Sequence, residues 1–168
     1  MRLFVAIELP QELKDALASV IASLKAQGAR ANFTHSGNMH LTLAFIGETP
    51  RVADAKAALD TVKAAPFRVA LEGSGCFGDL LWAGVRREPD MQRLAEKARD
   101  ALRGAGFQID PKPFKPHVTV ARRLECEGKP AVEIPRVSAP VAEFALMRSD
   151  RVDGRLVYTA VKRYPLSL

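Results

Sequence analysis

The fold of this chain is decided by a short stretch that occurs twice in related form, as Met39-His40-Leu41-Thr42-Leu43-Ala44-Phe45-Ile46-Gly47 and as His117-Val118-Thr119-Val120-Ala121-Arg122. Both copies are rich in apolar residues, which predicts a β-strand. Side chains at positions i and i+2 of a strand point to the same face. Each histidine therefore shares a face with the threonine two residues later, while the aliphatic residues between them point to the opposite face.

The elements around the two motifs repeat in the same order. A strand pattern over 3–8 and a helix pattern opened by Pro10 precede the first motif, and a strand over 80–85 and a helix opened by Pro89 precede the second. The rest of the chain predicts further elements. They are a loop over 32–38, a helix over 52–64, strands over 67–72, 141–147 and 156–164, and a turn at Asp153-Gly154. The repeat predicts two similar lobes that face each other across a groove and share one core, so that 1–168 is a single domain.

Two imidazoles beside one groove suit the cleavage of a phosphodiester without a metal. A neutral imidazole can take a proton from attacking water, and a protonated one can give a proton to the leaving oxygen. Imidazole serves both tasks near neutral pH because its ordinary pKa is about 6.5. The hydroxyls of Thr42 and Thr119 can donate to phosphoryl oxygens. The alternative is that His40 and His117 are structural residues on half-exposed strands.

A zinc site formed by all three histidines of the chain is a further alternative, because three histidines can hold a catalytic metal. The third histidine, His35, lies in the polar loop and has no threonine two residues later. The spacing from His35 to His40 matches no compact pair of zinc ligands, and no carboxylate stands nearby in a ligand pattern. We therefore expect neither a metal nor another cofactor.

Composition and charge limit the class of protein. Hydrophobic residues make up 48% and charged residues 26% of 168 residues, which is typical of a globular protein. The net charge of +6 favours anionic ligands such as phosphates or nucleic acid, although many basic proteins bind neither. No apolar run is long enough to span a membrane, and the N-terminus is unlike a signal peptide. With Cys76 and Cys126 expected as reduced thiols, these features predict a cytoplasmic protein.

The sequence resembles the RNA 2′,3′-cyclic phosphodiesterases of the two-histidine phosphoesterase superfamily, historically named 2′-5′ RNA ligases. The matching segments extend over nearly the whole chain, and they are 2–7, 39–47, 116–122, 146–149, Gly154, Tyr158 and 165–166. The resemblance implies a two-lobed α+β domain with antiparallel sheets around a central cleft, each lobe contributing one His-x-Thr strand. It also implies hydrolysis of 2′,3′-cyclic phosphate ends to 2′-phosphates, without a metal.

The resemblance further implies roles for individual residues. His40 is the proton donor to the leaving 3′ oxygen, and His117 is the proton acceptor that activates water. Phe45 stacks on a base and Arg122 contacts phosphate. Strict alternation points Phe45 and Arg122 away from their histidines, so a bulge or a strong twist is needed to bring them back. Otherwise Phe45 is a core aromatic residue and Arg122 a solvated charge.

The partners follow from the same resemblance. We expect RNA ends or cyclic nucleotides that carry a 2′,3′-cyclic phosphate, no membrane, and a monomeric protein. The segment Lys112, Phe114 and Lys115 mixes charge with aromatic character, as nucleic-acid surfaces do, or is an ordinary loop. Two other functions use the same residues. One is a 2′-5′ RNA ligase that joins tRNA halves, and the other is a module that binds nucleotides or RNA 2′ ends without turnover.

Overall fold

The computed structural model describes all 168 residues, which form nine strands and three α-helices. The elements in chain order are β1 Arg2–Glu8, α1 Gln11–Ala26, β2 Arg30–Phe33, β3 His40–Glu48, α2 Val52–Asp60, β4 Phe67–Phe77, β5 Leu80–Val85, α3 Pro89–Gly104, β6 His117–Glu125, β7 Ser138–Val141, β8 Glu143–Val152 and β9 Arg155–Pro165. A 3₁₀ turn over Ser36–Asn38 precedes β3. None of the helices has the length and apolar character that a membrane span requires.

The strands form two antiparallel sheets, with the orders β3-β1-β8-β9 and β2-β6-β5-β4-β7. In each sheet the histidine strand pairs with the strand that opens its repeat, β3 with β1 and β6 with β5. The next strand is then β8 in one sheet and β4 in the other. The predicted duplication and the α+β fold with antiparallel sheets are therefore confirmed.

The two lobes exchange strands. The early strand β2 joins the second sheet beside β6, and the closing strands β8 and β9 complete the first sheet. One cluster of 40 buried hydrophobic residues runs through both sheets and the helices. The exchange explains why the sequence contains no linker between the halves.

The sheet that contains β1 has two differently covered faces. Leu3, Val5 and Ile7 are fully buried in the large cluster, which also contains the apolar side of α1. Phe4 and Ala6 point to the other face, where they pack with Ala145, Met147, Tyr158 and Ala160. His40 and Thr42 lie on this second face, since they pair with Glu8 and Ala6 of β1.

Four predicted boundaries are wrong, each for a local reason. β2 occupies part of the predicted loop 32–38, since its short polar–apolar alternation becomes a strand only through hydrogen bonds to the distant strand β6. β4 continues beyond 72 to Phe77 through a bulge between Leu71 and Ser74. β7 and β8 are separate strands where one was predicted over 141–147. α2 ends at Asp60 because the Thr61 hydroxyl donates to the Ala58 carbonyl and caps the last turn.

Candidate active site

A bulge three residues after His40 decides which side chains of β3 reach the cleft. Thr42 lies opposite Ala6 on β1 and Ala44 lies opposite Val5, so that Leu43 has no partner of its own. Residues opposite each other in an antiparallel pair share a face. Phe45, which pairs with Phe4, therefore lies on the same face as Thr42 and is 49% exposed. Phe45 is not a core residue.

The second motif contains the same device. Thr119 on β6 pairs with Trp82 on β5, and Ala121 pairs with Leu81, so that Val120 is the bulged residue. Arg122 then returns to the face of His117 and Thr119. The two bulges occupy equivalent positions in the two halves. They give both strands a histidine, a threonine and a third side chain five residues after the histidine on one face.

Both imidazoles are held in the same way. The Nδ1 atom of His40 lies 2.6 Å from the carbonyl oxygen of Asn38, and that of His117 lies 2.8 Å from the carbonyl oxygen of Lys115. A carbonyl oxygen can only accept, so Nδ1 carries a hydrogen in both rings. Nε2 is left as the nitrogen that gains or loses the mobile proton. Each ring is therefore held in one tautomer by the backbone two residues before it.

The electrostatic surroundings join the two strands into one site. Burial lowers the pKa of His40, the hydrogen bond to Asn38 opposes this shift, and the nearby guanidinium of Arg122 lowers the pKa further. Arg122 also lies close enough to Tyr158 to oppose the rise of the Tyr158 pKa that burial causes. β3 and β6 approach each other without pairing. Arg122 of one motif thus acts directly on the histidine of the other.

Two aromatic rings flank each histidine. The His40 ring centroid is 4.8 Å from those of Phe4 and Tyr158. The His117 ring centroid is 6.1 Å from that of Trp82 and 6.2 Å from that of Phe77. The arrangement is a cleft with an imidazole, a hydroxyl and aromatic rings on both walls and with the guanidinium of Arg122 close to His40 and Tyr158. Such a cleft can bind a phosphate with an attached nucleoside and move protons on its two sides.

Comparison with known proteins identifies the family of the chain. The sequence profile of the 2′-5′ RNA ligase superfamily matches residues 4–153. The chain belongs to this superfamily. The resemblance noted from the sequence is thereby confirmed.

The superfamily relatives include proteins named RNA 2′,3′-cyclic phosphodiesterase. The protein of Escherichia coli is 32% identical to this chain, and the match covers 97% of that protein and 99% of this chain. The protein of Thermus thermophilus is 33% identical, and the match covers 90% of that protein and 99% of this chain. That of Geobacillus stearothermophilus is 30% identical, and this chain spans 56% of its length. The crystal structure of E. coli LigT complexed with 3′-AMP superposes on this chain with a TM-score of 0.81 at 30% identity. The superposition covers 99% of this chain and 98% of the LigT chain.

Arg99, which no pattern in the sequence singles out, contacts the backbone beside both histidine motifs. From α3 its Nε donates to the carbonyl of Leu43, the bulged residue of β3, at 2.9 Å. Its Nη1 donates to the carbonyl of Lys112, in the loop before β6, at 2.8 Å. One guanidinium thus supports the strand of one histidine and the approach to the other. No sequence signal marks it, since α3 carries two other arginines at exposed positions.

Asn38 was also missed. Its carbonyl holds His40, while its side chain donates to the carbonyl of Leu156 at 2.8 Å and accepts from the amide of Tyr158 at 3.4 Å. The side chain therefore ties the 3₁₀ turn before His40 to β9. A polar residue two positions before the histidine is the only hint that the sequence provides.

The other residues that the sequence singled out have structural or solvent-exposed positions. His35 caps the 3₁₀ turn, its Nδ1 accepting from the amide of Gly37 at 3.2 Å. No three His, Cys, Asp or Glu side chains lie together as metal ligands, so the alternative of a three-histidine zinc site is not assembled. Phe114 is buried in the core with the Arg99 guanidinium 5.5 Å from its ring centre, whereas Lys112 and Lys115 are exposed. This segment is a packed loop whose lysines face solvent.

Proposed function

We propose that this protein hydrolyses 2′,3′-cyclic phosphodiesters at RNA ends to 2′-phosphomonoesters, with His40 and His117 as its acid–base pair. The reaction is that of an RNA 2′,3′-cyclic phosphodiesterase, in keeping with the named relatives. The observation that carries the proposal is the matched pair of imidazoles, each fixed through Nδ1 to a backbone carbonyl so that Nε2 is free for proton transfer. Structural histidines have no need of such a duplicated arrangement.

The chemistry follows from in-line displacement at phosphorus. Water attacks from the side opposite the 3′ oxygen, so one proton must be removed on one side while another is supplied on the other. His117 takes the proton of water through Nε2, and His40 gives its Nε2 proton to the 3′ oxygen. The hydroxyls of Thr42 and Thr119 and the guanidinium of Arg122 donate to the phosphoryl oxygens, where negative charge accumulates.

The lowered pKa of His40 suits a proton donor that becomes protonated when the substrate binds. Burial and Arg122 favour the neutral ring in the free protein. A bound phosphodiester places a negative charge beside the ring and partly neutralises Arg122, and both effects favour the imidazolium. The His40 ring is therefore protonated when the substrate binds, and its pKa falls again after the product leaves.

The proposal includes three further statements, on metal, on the number of chains and on the cellular compartment. The reaction needs no metal, because acid, base and charge stabilisation all come from side chains on the cleft walls. One chain is sufficient, since β3 and β6 of the same chain supply both histidines. The two cysteines, Cys76 and Cys126, are free in the structure, which supports action in the reducing cytoplasm.

A sulfur leaving group tests the roles of the two histidines. A cyclic substrate with sulfur in place of the 3′ oxygen needs little protonation of its leaving group, because a thiolate is a far better leaving group than an alkoxide. We expect His40→Ala to lose about 10²-fold or more in kcat with the oxygen substrate and to recover most of this loss with the sulfur substrate. His117→Ala should stay slow with both. Recovery in His117→Ala instead would reverse the roles, and recovery in neither would exclude acid catalysis.

The double variant provides a second test. The two proton transfers share one transition state, so removing either histidine already spoils it. The double variant His40→Ala/His117→Ala should therefore lose much less than the product of the two single losses. Thr42→Ala and Thr119→Ala should cost less than either histidine, since each removes one hydrogen bond and leaves the proton transfers in place. Strictly multiplicative losses at His40 and His117 would contradict a concerted pair.

A further inference from the structure

The aromatic pairs beside the two histidines differ in their exposure. On the His40 wall, Phe4 is buried and Tyr158 is half-buried within a packed cluster. On the His117 wall, Phe77 is 61% exposed. The same arrangement of rings is thus closed on one wall and open on the other.

The open pair lies on the cleft face of the second sheet. Trp82 pairs with Thr119 on one side and with Gly75 on the other, so all three share the cleft face of the second sheet. A Cβ atom at Gly75 would lie 2.1 Å from the indole ring, which means that the ring occupies the space that a side chain there would need. The ring centroid of Phe77 is 5.6 Å from that of Trp82, and the two ring planes are tilted by 39°. The two rings lie next to each other beside His117.

Stability alone does not account for a tryptophan at this position. The indole nitrogen of Trp82 is buried and has no hydrogen-bond partner, and a buried unpaired donor is unfavourable for folding. A purely apolar side chain would avoid this penalty. What the tryptophan adds is a large flat π-surface, the feature that binds nucleobases by stacking.

In-line geometry identifies what this surface faces. The leaving 3′ oxygen and its ribose lie on the side of the proton donor, His40, and the nucleophile enters on the side of the acceptor, His117. Water needs no aromatic surface. A nucleoside whose 5′ hydroxyl stands in the place of water would have its base beside His117. Phe77 and Trp82 lie at that position.

We propose that Phe77 and Trp82 form a second nucleobase subsite, which binds the nucleoside attached to the nucleophile oxygen. The inference rests on the proposed function, from which the direction of attack is taken. When a 5′ hydroxyl occupies the subsite, the O5′–P bond forms and the P–O3′ bond breaks. The O5′ proton passes to His117 and the His40 proton passes to O3′. The product is a 2′,5′-phosphodiester, and its cleavage is the reverse of the same step.

Binding of two ligands to a turnover-deficient protein tests the subsite. In a His40→Ala background, the affinity of adenosine 2′-phosphate is compared with that of the 2′,5′-linked dinucleoside monophosphate of adenosine. We expect the dinucleotide to bind about 5- to 100-fold more tightly, as one additional stacked base allows. Trp82 is the only tryptophan of the chain, so its fluorescence should be quenched by the dinucleotide and much less by the mononucleotide.

Three substitutions make the test specific. Phe77→Leu should remove most of the advantage of the dinucleotide, and Phe77→Tyr should keep it because the aromatic face remains. Phe45→Leu, on the other wall, should weaken both ligands by similar factors and leave their ratio unchanged. Equal affinities, or an advantage that survives Phe77→Leu, would overturn the subsite. Full quenching by the mononucleotide would also overturn it, since the terminal base would then occupy the surface. Turnover by the background variant would count against the acid–base proposal instead.

Discussion

Replacing Arg99 with methionine removes a guanidinium that holds two backbone carbonyls and keeps most of the aliphatic stem. The lost contacts are those to Leu43 at 2.9 Å and to Lys112 at 2.8 Å. A hydrogen bond from a charged donor contributes about 1.5–3 kcal/mol. Because Arg99 is half-buried, solvent screens part of this contribution. We expect a loss of about 2–4 kcal/mol in the free energy of unfolding.

Urea unfolding and thermal unfolding measure this loss. For a chain of this size, 1 kcal/mol corresponds to about 2–4 °C in Tm, so the expected decrease is roughly 4–16 °C. Activity should fall by more than the folded fraction predicts. Leu43 directly follows Thr42, and the Lys112 loop leads to His117, so both walls of the cleft lose support. Assays well below Tm separate this effect from unfolding.

Arg93→Met is the matched control. Arg93 lies on the same helix and forms an exposed ion pair with Asp90, and such pairs contribute about 0–1 kcal/mol. The control should therefore change stability and activity little. If Arg99→Met unfolds at the same urea concentration as Arg93→Met and retains full activity, then Arg99 does not support the site.

Three further outcomes follow from the site. In the free protein, an NMR titration should place the pKa of His40 below the ordinary imidazole value. Arg122→Gln should raise the pKa of His40, because a nearby positive charge is removed. An unchanged pKa in that variant would exclude Arg122 as a cause. Turnover of a cyclic nucleotide should survive excess EDTA, and complete loss restored by zinc would contradict metal independence. Phe45→Leu should raise KM about 5-fold or more with a small effect on kcat, as loss of one stacked base predicts, and an unchanged KM would contradict stacking.

The regular parts of the fold could be predicted from the sequence because their signals are local. The continuous apolar run in β1, which is buried on both faces, and the helical spacing of Leu13, Leu17 and Leu24 are set by the faces that each element buries. The turn at Asp153-Gly154 was also correct, since both residues adopt the positive φ that a tight hairpin turn requires, 51° and 76°. These elements were found without knowledge of their partners.

The parts that failed depend on partners distant in sequence. β2 pairs with the edge of β6, and its four residues alternate polar and apolar side chains over too short a run to stand out from the polar loop that follows. The bulges at Leu43 and Val120 arise from the register with β1 and β5, which alternation within one strand cannot express. For this reason the sequence alone left the faces of Phe45 and Arg122 open, and it gave no sign of Arg99.

The most direct test of the central claim is phosphorus NMR of a nucleoside 2′,3′-cyclic phosphate incubated with the protein. We expect the cyclic signal to be replaced by the signal of a single 2′-phosphomonoester, and folded His40→Ala protein to be slower by about 10²-fold or more. An unchanged spectrum accompanied by binding would leave a nucleotide-binding module without turnover. Near-normal turnover by His40→Ala would contradict the account, since the histidine would then be a structural residue only.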